Sequence, residues 1–174
     1  MEVLERVRRT EFLGRDFLTW LWFKSEANEG RFDLGELGMV ELWFDGKVTL
    51  QSDSDQDVET ITCSGENPSL REARFALTKS KKVTQAKLRL IVGDNEWSFT
   101  LDSTWLNFKS LKTPTVVHDK KDDPEGLFYE RVLLIEQPLR AIDTLFSSFI
   151  KIRTSPEWGT QELPALIEWV NQGK

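Results

Sequence analysis

Hydrophobic and polar residues alternate with a period of two between Lys79 and Lys112. On the first predicted strand, one face takes Thr84, Ala86, Leu88, Leu90 and Val92, and the other face takes Gln85, Lys87, Arg89 and Ile91. After the turn signal Gly93-Asp94-Asn95, the apolar residues Trp97, Phe99 and Leu101 alternate with polar ones. This pattern predicts a β-hairpin with one buried face.

Residues 39 to 63 contain further strand patterns. The segments MVELWF and KVTLQS flank Asp45-Gly46, a dipeptide that favours a hairpin turn because both positions tolerate positive φ. We therefore expect Leu42 and Phe44 to oppose Val48 and Leu50, with VETITC as the third strand.

Helical patterns lie on both sides of the strands. Residues 10 to 26 show apolar spacing of three and four, which predicts a mostly buried helix. A second helix is expected after Pro68. In the C-terminal third, LFYERVLLIEQ and PLRAIDTLFSSFIKIR are separated by Pro138, which should kink or restart the helix. Ser155-Pro156-Glu157 then predicts the start of a last helix, which carries Trp158 and Trp169.

Strands in the middle and helices at both ends predict an α+β fold. We expect an antiparallel β-sheet meander built from residues 39 to 63 and 82 to 112. The buried N-terminal helix and the C-terminal helices should pack on this sheet. A chain of 174 residues fits one domain spanning residues 1–174.

The amino-acid composition limits the cellular compartment and the kinds of metal site that we expect. Cys63 is the single cysteine, so neither a disulfide framework nor a cysteine-based zinc site is expected. No apolar run approaches the ~18 to 20 residues that cross a bilayer, and the first residues lack the pattern of a secretory leader. We expect a soluble, cytoplasmic protein with no membrane association.

Charge is distributed unevenly along the chain. The net charge is −6, yet residues 79 to 121 contain nine Lys or Arg and four Asp or Glu. Residues 36 to 66 contain eight acidic residues and one lysine. The first segment would attract phosphate groups and the second would repel them.

Enzymatic and metal-dependent functions find little support. The sequence has no P-loop, dinucleotide fingerprint or HExxH motif, and its one histidine, His118, lies in a predicted loop. Asp45-Gly46-Lys47 with Asp33 has the spacing of some metal-dependent nucleases, but Asp-Gly is already explained as a turn. The acidic run 53 to 57 would begin a calcium loop, yet Val58 and Ser64 replace its required Gly and Glu. We expect a non-enzyme without metal, cofactor or small-molecule substrate.

Two blocks resemble the RdgC-type recombination-associated proteins. Lys81-Lys82-Val83-Thr84, the alternating strand, Trp97 to Leu101 and the closing segment Leu106 to Lys112 are similar to that family's GK-x-VT hairpin and LK segment, with Ser80 where the family has glycine. Residues 12 to 22, FLGRDFLTWLW, resemble a version found in divergent, shorter relatives. The resemblance implies sequence-independent binding of duplex DNA by ring-shaped dimers, which limits the access of a recombinase.

Two functions therefore remain open. In the DNA-binding interpretation, a basic face contacts phosphates without reading sequence, with Lys81, Lys82, Lys87 and Arg89 pointing away from the core and Lys109 and Lys112 extending the patch. In the alternative, these lysines only keep the strands soluble, and the aromatic C-terminal helices bind a protein. The resemblance favours the first. The large apolar residues near the C-terminus, Trp158 and Trp169 among them, also suggest a homodimer.

Overall fold

The computed structural model describes residues 3–52, 59–65, 67–116 and 123–172. The elements in chain order are α1 (Val3–Ala27), β1 (Arg31–Asp33), β2 (Met39–Ser52), β3 (Thr60–Ser64), α2 (Asn67–Leu77), β4 (Lys81–Val92), β5 (Asn95–Asp102), β6 (Phe108–Lys112), α3 (Pro124–Arg153) and α4 (Leu163–Asn171). The predicted α+β fold is confirmed. The acidic run 53 to 57 and His118 lie outside the described residues.

The sheet is antiparallel throughout, with the strand order β1-β2-β4-β5-β6. β2 is the long central strand: β4 pairs along one of its edges, while β1 and β3 share the other edge end to end. The predicted hairpin of β4 and β5 is confirmed, and Gly93 has φ 58° at the position where a two-residue turn of type II′ needs glycine.

The Asp45-Gly46 hairpin prediction is wrong. β2 continues through this dipeptide as one strand, so the four residues expected to face each other all lie along it, and each of them pairs with β4. Between Phe44 and Val48 the register with β4 shifts, which marks a bulge. The reason is conformational: a type I′ turn needs positive φ at both positions, and here only Gly46 has it, at 67°.

The four α-helices of the described ranges lie on one side of the sheet: α1 and α2 contact its strands, and α3 and α4 pack against α1 and α2. The core that they enclose is aromatic: Trp22 stacks on Phe44 with ring centroids 5.5 Å apart and meets the edge of Trp169 at 5.4 Å. Trp20 and Phe23 are buried with them, so these three aromatic residues of α1 form core and are not accessible to a stacked base. No helix in the described ranges is long and apolar enough to cross a bilayer.

Pro138 does not divide α3, which runs unbroken from Pro124 to Arg153. Proline has no N–H to give to the carbonyl four residues earlier, so the carbonyl of Leu134 loses its helical partner. The fully buried Trp97 of β5 supplies one, since its Nε1–H donates to that carbonyl at 2.6 Å. The sheet thus supplies the donor that the Leu134 carbonyl lacks within the helix.

Candidate nucleic-acid interface

The face of the sheet away from the helices is half-buried or exposed, whereas alternate residues on the other face are almost fully buried. We call this surface the open face. It carries side chains from β2, β4, β5 and β6, and its residues align in rows across the strands because neighbouring strands pair residue to residue.

One row crosses four strands. Trp43 of β2 pairs with Arg89 of β4, Arg89 with Ser98 of β5, and Ser98 with Lys112 of β6. Strands lie about 4.8 Å apart, so Arg89 and Lys112 are separated by roughly 10 Å along the row. Lys112 is exposed and makes no ion pair with any residue that the structure describes. Two cations with an aromatic ring and a hydroxyl form this row.

Arg89 is the most constrained cation of the row. Its side chain is half-buried, and its Nε is buried without a hydrogen-bond partner among the described residues. No carboxylate in that part of the chain pairs with its guanidinium. The guanidinium therefore has no anionic partner among the described residues, and a phosphate placed over this row could supply one.

The next row contains Lys87, Thr100 and Lys109, one from each of the three adjacent strands. Here both lysines are already paired. Lys87 Nζ lies 2.9 Å from the Asp45 carboxylate, and Lys109 Nζ lies 2.9 Å from that of Asp102. This row therefore contributes less positive potential than its lysines alone would indicate.

Asp102 is held firmly in its charged form. Burial raises the pKa of the Asp102 carboxyl, but hydrogen bonds from the Lys109 ammonium, the Thr104 amide and the Gln85 side chain outweigh that effect and lower the pKa below its ordinary value. The carboxylate thus fixes Lys109 and Gln85 at one end of the open face.

The other end of the open face is acidic. Arg31, Glu41, Ile91 and Glu96 align in the row next to the Gly93 turn. Glu96 is exposed, and Glu41 accepts only a long 3.4 Å hydrogen bond from the Trp43 indole. With Arg31 included, this row carries a net charge of −1, so phosphate contacts are less favourable here than at the two rows that hold Arg89 and Lys87.

The prediction that Lys81 points away from the core is wrong. Lys81 is only 7% exposed, and its Nζ lies 2.6 Å from Glu59. A hydrogen bond from this ammonium and its charge lower the pKa of the Glu59 carboxyl. Lys81 is a buried, neutralised cation, and it is removed from the candidate site.

A bulge in β4 explains the error. Thr49 pairs with Gln85 and Leu50 pairs with Val83, so Thr84 is an extra residue on β4. Val83 and Thr84 are consecutive and both buried. The in-and-out alternation of side chains is therefore reversed on the N-terminal side of Val83, and Lys81 lies on the core side. A strict period of two had placed it on the wrong face.

Lys82 is also engaged elsewhere. Its Nζ lies 3.4 Å from the carboxylate of Asp16 on α1, which Arg153 of α3 approaches at 3.8 Å. α1 packs on the helix-covered face, so Lys82 contributes its charge at the boundary with the helices. Of the six predicted residues, the structure places Lys87, Arg89, Lys109 and Lys112 together on the open face.

Trp43 is the residue that sequence reasoning missed. Its outward position follows from the buried neighbours Leu42 and Phe44, but the predicted site contained only Lys and Arg side chains. The indole is half-buried and lies against Gly30, where an added Cβ would come within 2.3 Å of the ring. The glycine therefore permits Trp43 to lie flat against the chain beside Arg89.

The nuclease-like spacing has a structural explanation. Asp33 Oδ1 accepts a 3.0 Å hydrogen bond from the Gly35 amide, which closes a local turn, and Asp45 pairs with Lys87. Within the described ranges there is no group of three or more His, Cys, Asp or Glu side chains arranged to hold a metal ion.

Models of known protein families give no match to this chain, and neither do curated proteins. The resemblance to RdgC-type proteins therefore depends on the residues themselves. One residue of the resembling hairpin has an unusual backbone conformation. Ser80, which occupies the position where that family has glycine, has φ 60°. This is the left-handed region that glycine adopts without steric cost.

Proposed function

We propose that this protein binds DNA through the open face, by contacts with phosphates and without sequence preference. The observation that carries the proposal is the row Trp43–Arg89–Ser98–Lys112, in which both cations lack a carboxylate partner among the described residues. The hairpin resemblance to RdgC-type proteins supports the same conclusion, and with it the proposal that bound protein limits the access of a recombinase to DNA.

The side chains of the open face favour phosphate contacts over base recognition. Lys and Arg neutralise backbone charge, and Ser98 and Thr100 can donate hydrogen bonds to phosphate oxygens. Gln85, an amide of this face that could read a base edge, already donates to Asp102 at 3.0 Å. Binding should therefore be nearly equal for unrelated sequences.

The ion pairs determine how strongly affinity depends on salt. If only Arg89 and Lys112 engage phosphates, the log-log slope against salt on duplex DNA should be about −1.8. If Lys87 and Lys109 also leave their carboxylates, four contacts should give about −3.6. A titration of labelled duplex and single-stranded DNA at several salt concentrations measures this slope.

The deciding variant is Arg89→Glu with Lys112→Glu. We expect it to flatten the slope by about 1.8 and to weaken binding equally for unrelated sequences. The matched control is Arg71→Glu with Lys151→Glu, which makes the same change in net charge at two exposed cations of α2 and α3, on the helix-covered side. If the double variant stays folded and binds with the affinity and slope of the parent, the open face is not the DNA site.

A protein-binding role is the second candidate, and a separate observation favours it. The first half of α3 exposes large apolar side chains, among them Phe128, Tyr129 and Leu133. If no DNA binding is found at low salt, this surface becomes the main candidate for function. The two candidates use opposite sides of the molecule, so variants of one leave the other unchanged.

A further inference from the structure

A groove of about 530 Å³ lies on the helix-covered side of the molecule. Its lining comes from α1, the C-terminal end of α2 with the turn that follows, the start of β4, Arg153 at the end of α3, Trp158, and α4. The volume falls within the range of small-molecule sites, which is about 300 to 1,000 Å³. The groove is separate from the open face and from the exposed first half of α3.

One part of the groove is apolar. α4 contributes Leu163, Leu166, Ile167 and Val170, at spacings of three, one and three that place them on one side of the helix. Leu163 and Ile167 are 36% and 50% exposed, so part of this apolar surface remains in contact with water. From Leu163 to Val170 the helix rises about 10 Å. An apolar body of that length would cover these side chains and remove them from water.

Another part of the groove is positively charged. Lys81, Lys82 and Arg153 line it, together with a single carboxylate among the described residues, that of Asp16. Glu59 pairs with Lys81, whereas Lys82 and Arg153 share Asp16, at 3.4 Å and 3.8 Å. These five side chains carry three positive and two negative charges, a net charge of +1. A ligand with one negative charge would balance it.

Arg153 is the cation best placed to bind that ligand. Its guanidinium lies over the Trp158 ring, 4.6 Å from the ring centroid, and this stacking restricts the orientation of its plane. In the described part of the chain the guanidinium donates no hydrogen bond, since 3.8 Å to Asp16 is too long for one. An oriented guanidinium with available donors suits a carboxylate, which it can bind through two parallel hydrogen bonds. Trp158 also begins a π-helix, Trp158–Glu162, a rare geometry that is frequent at functional sites.

We infer that this groove binds a small organic carboxylate, in which one carboxylate group is joined to an apolar body about 10 Å long. The carboxylate binds the Arg153 guanidinium, and the apolar body covers the exposed side of α4. A monoanion matches the net charge of +1, whereas a phosphate monoester carries about 1.5 to 2 negative charges at pH 7 and exceeds it. The inference is independent of DNA binding, because neither Arg153 nor α4 belongs to the open face.

A series of eight-carbon probes tests the class of ligand. Calorimetric titration of the full chain with octanoate should show one-to-one binding with a dissociation constant below about 1 mM. Octanol, which lacks the charge, and acetate, which lacks the apolar body, should each bind at least about tenfold more weakly. Octyl phosphate should bind no more tightly than octanoate. Failure of octanoate to bind up to about 1 mM, equal binding of octanol, or tighter binding of octyl phosphate overturns the inference.

Two variants separate the charged part of the groove from the apolar part. Arg153→Gln should weaken octanoate binding at least about tenfold and octanol binding by much less, which removes the preference for the carboxylate. Ile167→Gln should weaken both probes by the same factor, because both have the same apolar body. Both side chains are partly exposed, so the variants should fold, and their Tm values check this.

The matched controls are Arg140→Gln and Leu133→Gln, which change exposed residues of α3 outside the groove and should bind octanoate as the parent does. Arg153→Lys keeps the charge without the planar fork and should restore part of the lost affinity. If Arg153→Gln retains the preference for octanoate over octanol, or if the controls lose binding as much as the groove variants, octanoate does not bind in this groove and the inference is wrong.

Discussion

The indole of Trp97 and the carbonyl of Leu134 form a 2.6 Å hydrogen bond that joins the sheet to α3. This is the carbonyl that Pro138 leaves without a helical donor. An unsatisfied buried carbonyl costs about 1 to 3 kcal/mol, so the bond makes a proline tolerable within a long helix.

Trp97→Phe should therefore lower the free energy of unfolding by about 2 to 4 kcal/mol, through the lost hydrogen bond and the smaller ring. Trp22→Phe is the matched control. Trp22 is just as buried, but its Nε1 has no hydrogen-bond partner among the described residues, so only the packing loss should remain. Urea unfolding measures both variants, and equal costs would argue against a role for the hydrogen bond.

A double-mutant cycle between Trp97 and Pro138 separates the loss of the hydrogen bond from the loss of packing. Pro138→Ala would supply the amide that proline lacks, and this amide could donate to the Leu134 carbonyl within the helix. In the Pro138→Ala background, Trp97→Phe should then cost about 1 kcal/mol less than in the parent. Additive costs would show that Trp97 and Pro138 act separately.

Asp45→Asn should strengthen DNA binding. The substitution removes a negative charge from the open face and releases Lys87, whose ammonium lies 2.9 Å from Asp45. One additional phosphate contact should steepen the salt slope by about 0.9. Asp143→Asn makes the same charge change on exposed α3 and should leave the slope unchanged. If the two variants behave alike, net charge and not the open face determines binding.

Asp102→Asn should lower stability in a pH-dependent way. The pKa of Asp102 is lowered in the folded protein, so the unfolded chain binds the proton more tightly. The contribution of the carboxylate is present above the ordinary value of about 3.9 and is lost as the pH falls through the lowered pKa. We expect the variant to be about 1 kcal/mol less stable at neutral pH, with a smaller difference in acid. A difference that stays constant in urea unfolding from neutral pH to about pH 3 would exclude this linkage.

Ser80→Gly should raise the free energy of unfolding by up to about 1 kcal/mol, because Ser80 has φ 60° and glycine adopts this conformation without steric cost. Urea midpoints of the two proteins give the comparison. Ser80→Ala, which keeps the Cβ, should show no such gain. A gain in the alanine variant as well would mean that the backbone conformation is not the cause.

Local sequence patterns were sufficient to predict most of the fold. The burial of α1 and the hairpin of β4 and β5 follow from hydrophobic spacing, which the packed structure preserves. The Asp45-Gly46 turn signal failed, and the helix did not restart at Pro138, in both cases because of a tertiary partner. Asp45-Gly46 became a bulge where β2 pairs with β4 on both sides of it, and Pro138 was retained in a helix because Trp97 supplies the missing donor.

The candidate site was harder to predict because it depends on pairing between strands. Alternation placed Lys87 and Arg89 correctly, but the register that aligns Arg89 with Trp43 and Lys112 is not visible in any single segment. The carboxylates that neutralise Lys87 and Lys109 come from other strands or strand ends. A count of lysines along the sequence contains none of this information.

The extra residue Thr84 has a consequence for electrostatic potential. Before it, three lysines lie within four positions of the chain, yet each has a different neighbour: Lys79 lies over the Phe75 ring, the buried Lys81 pairs with the exposed Glu59, and Lys82 approaches Asp16. Two of these three cations are thus beside carboxylates on other parts of the chain, and the third lies over an aromatic ring. A run of lysines that looks strongly basic in the sequence therefore gives a much weaker positive potential on the folded surface.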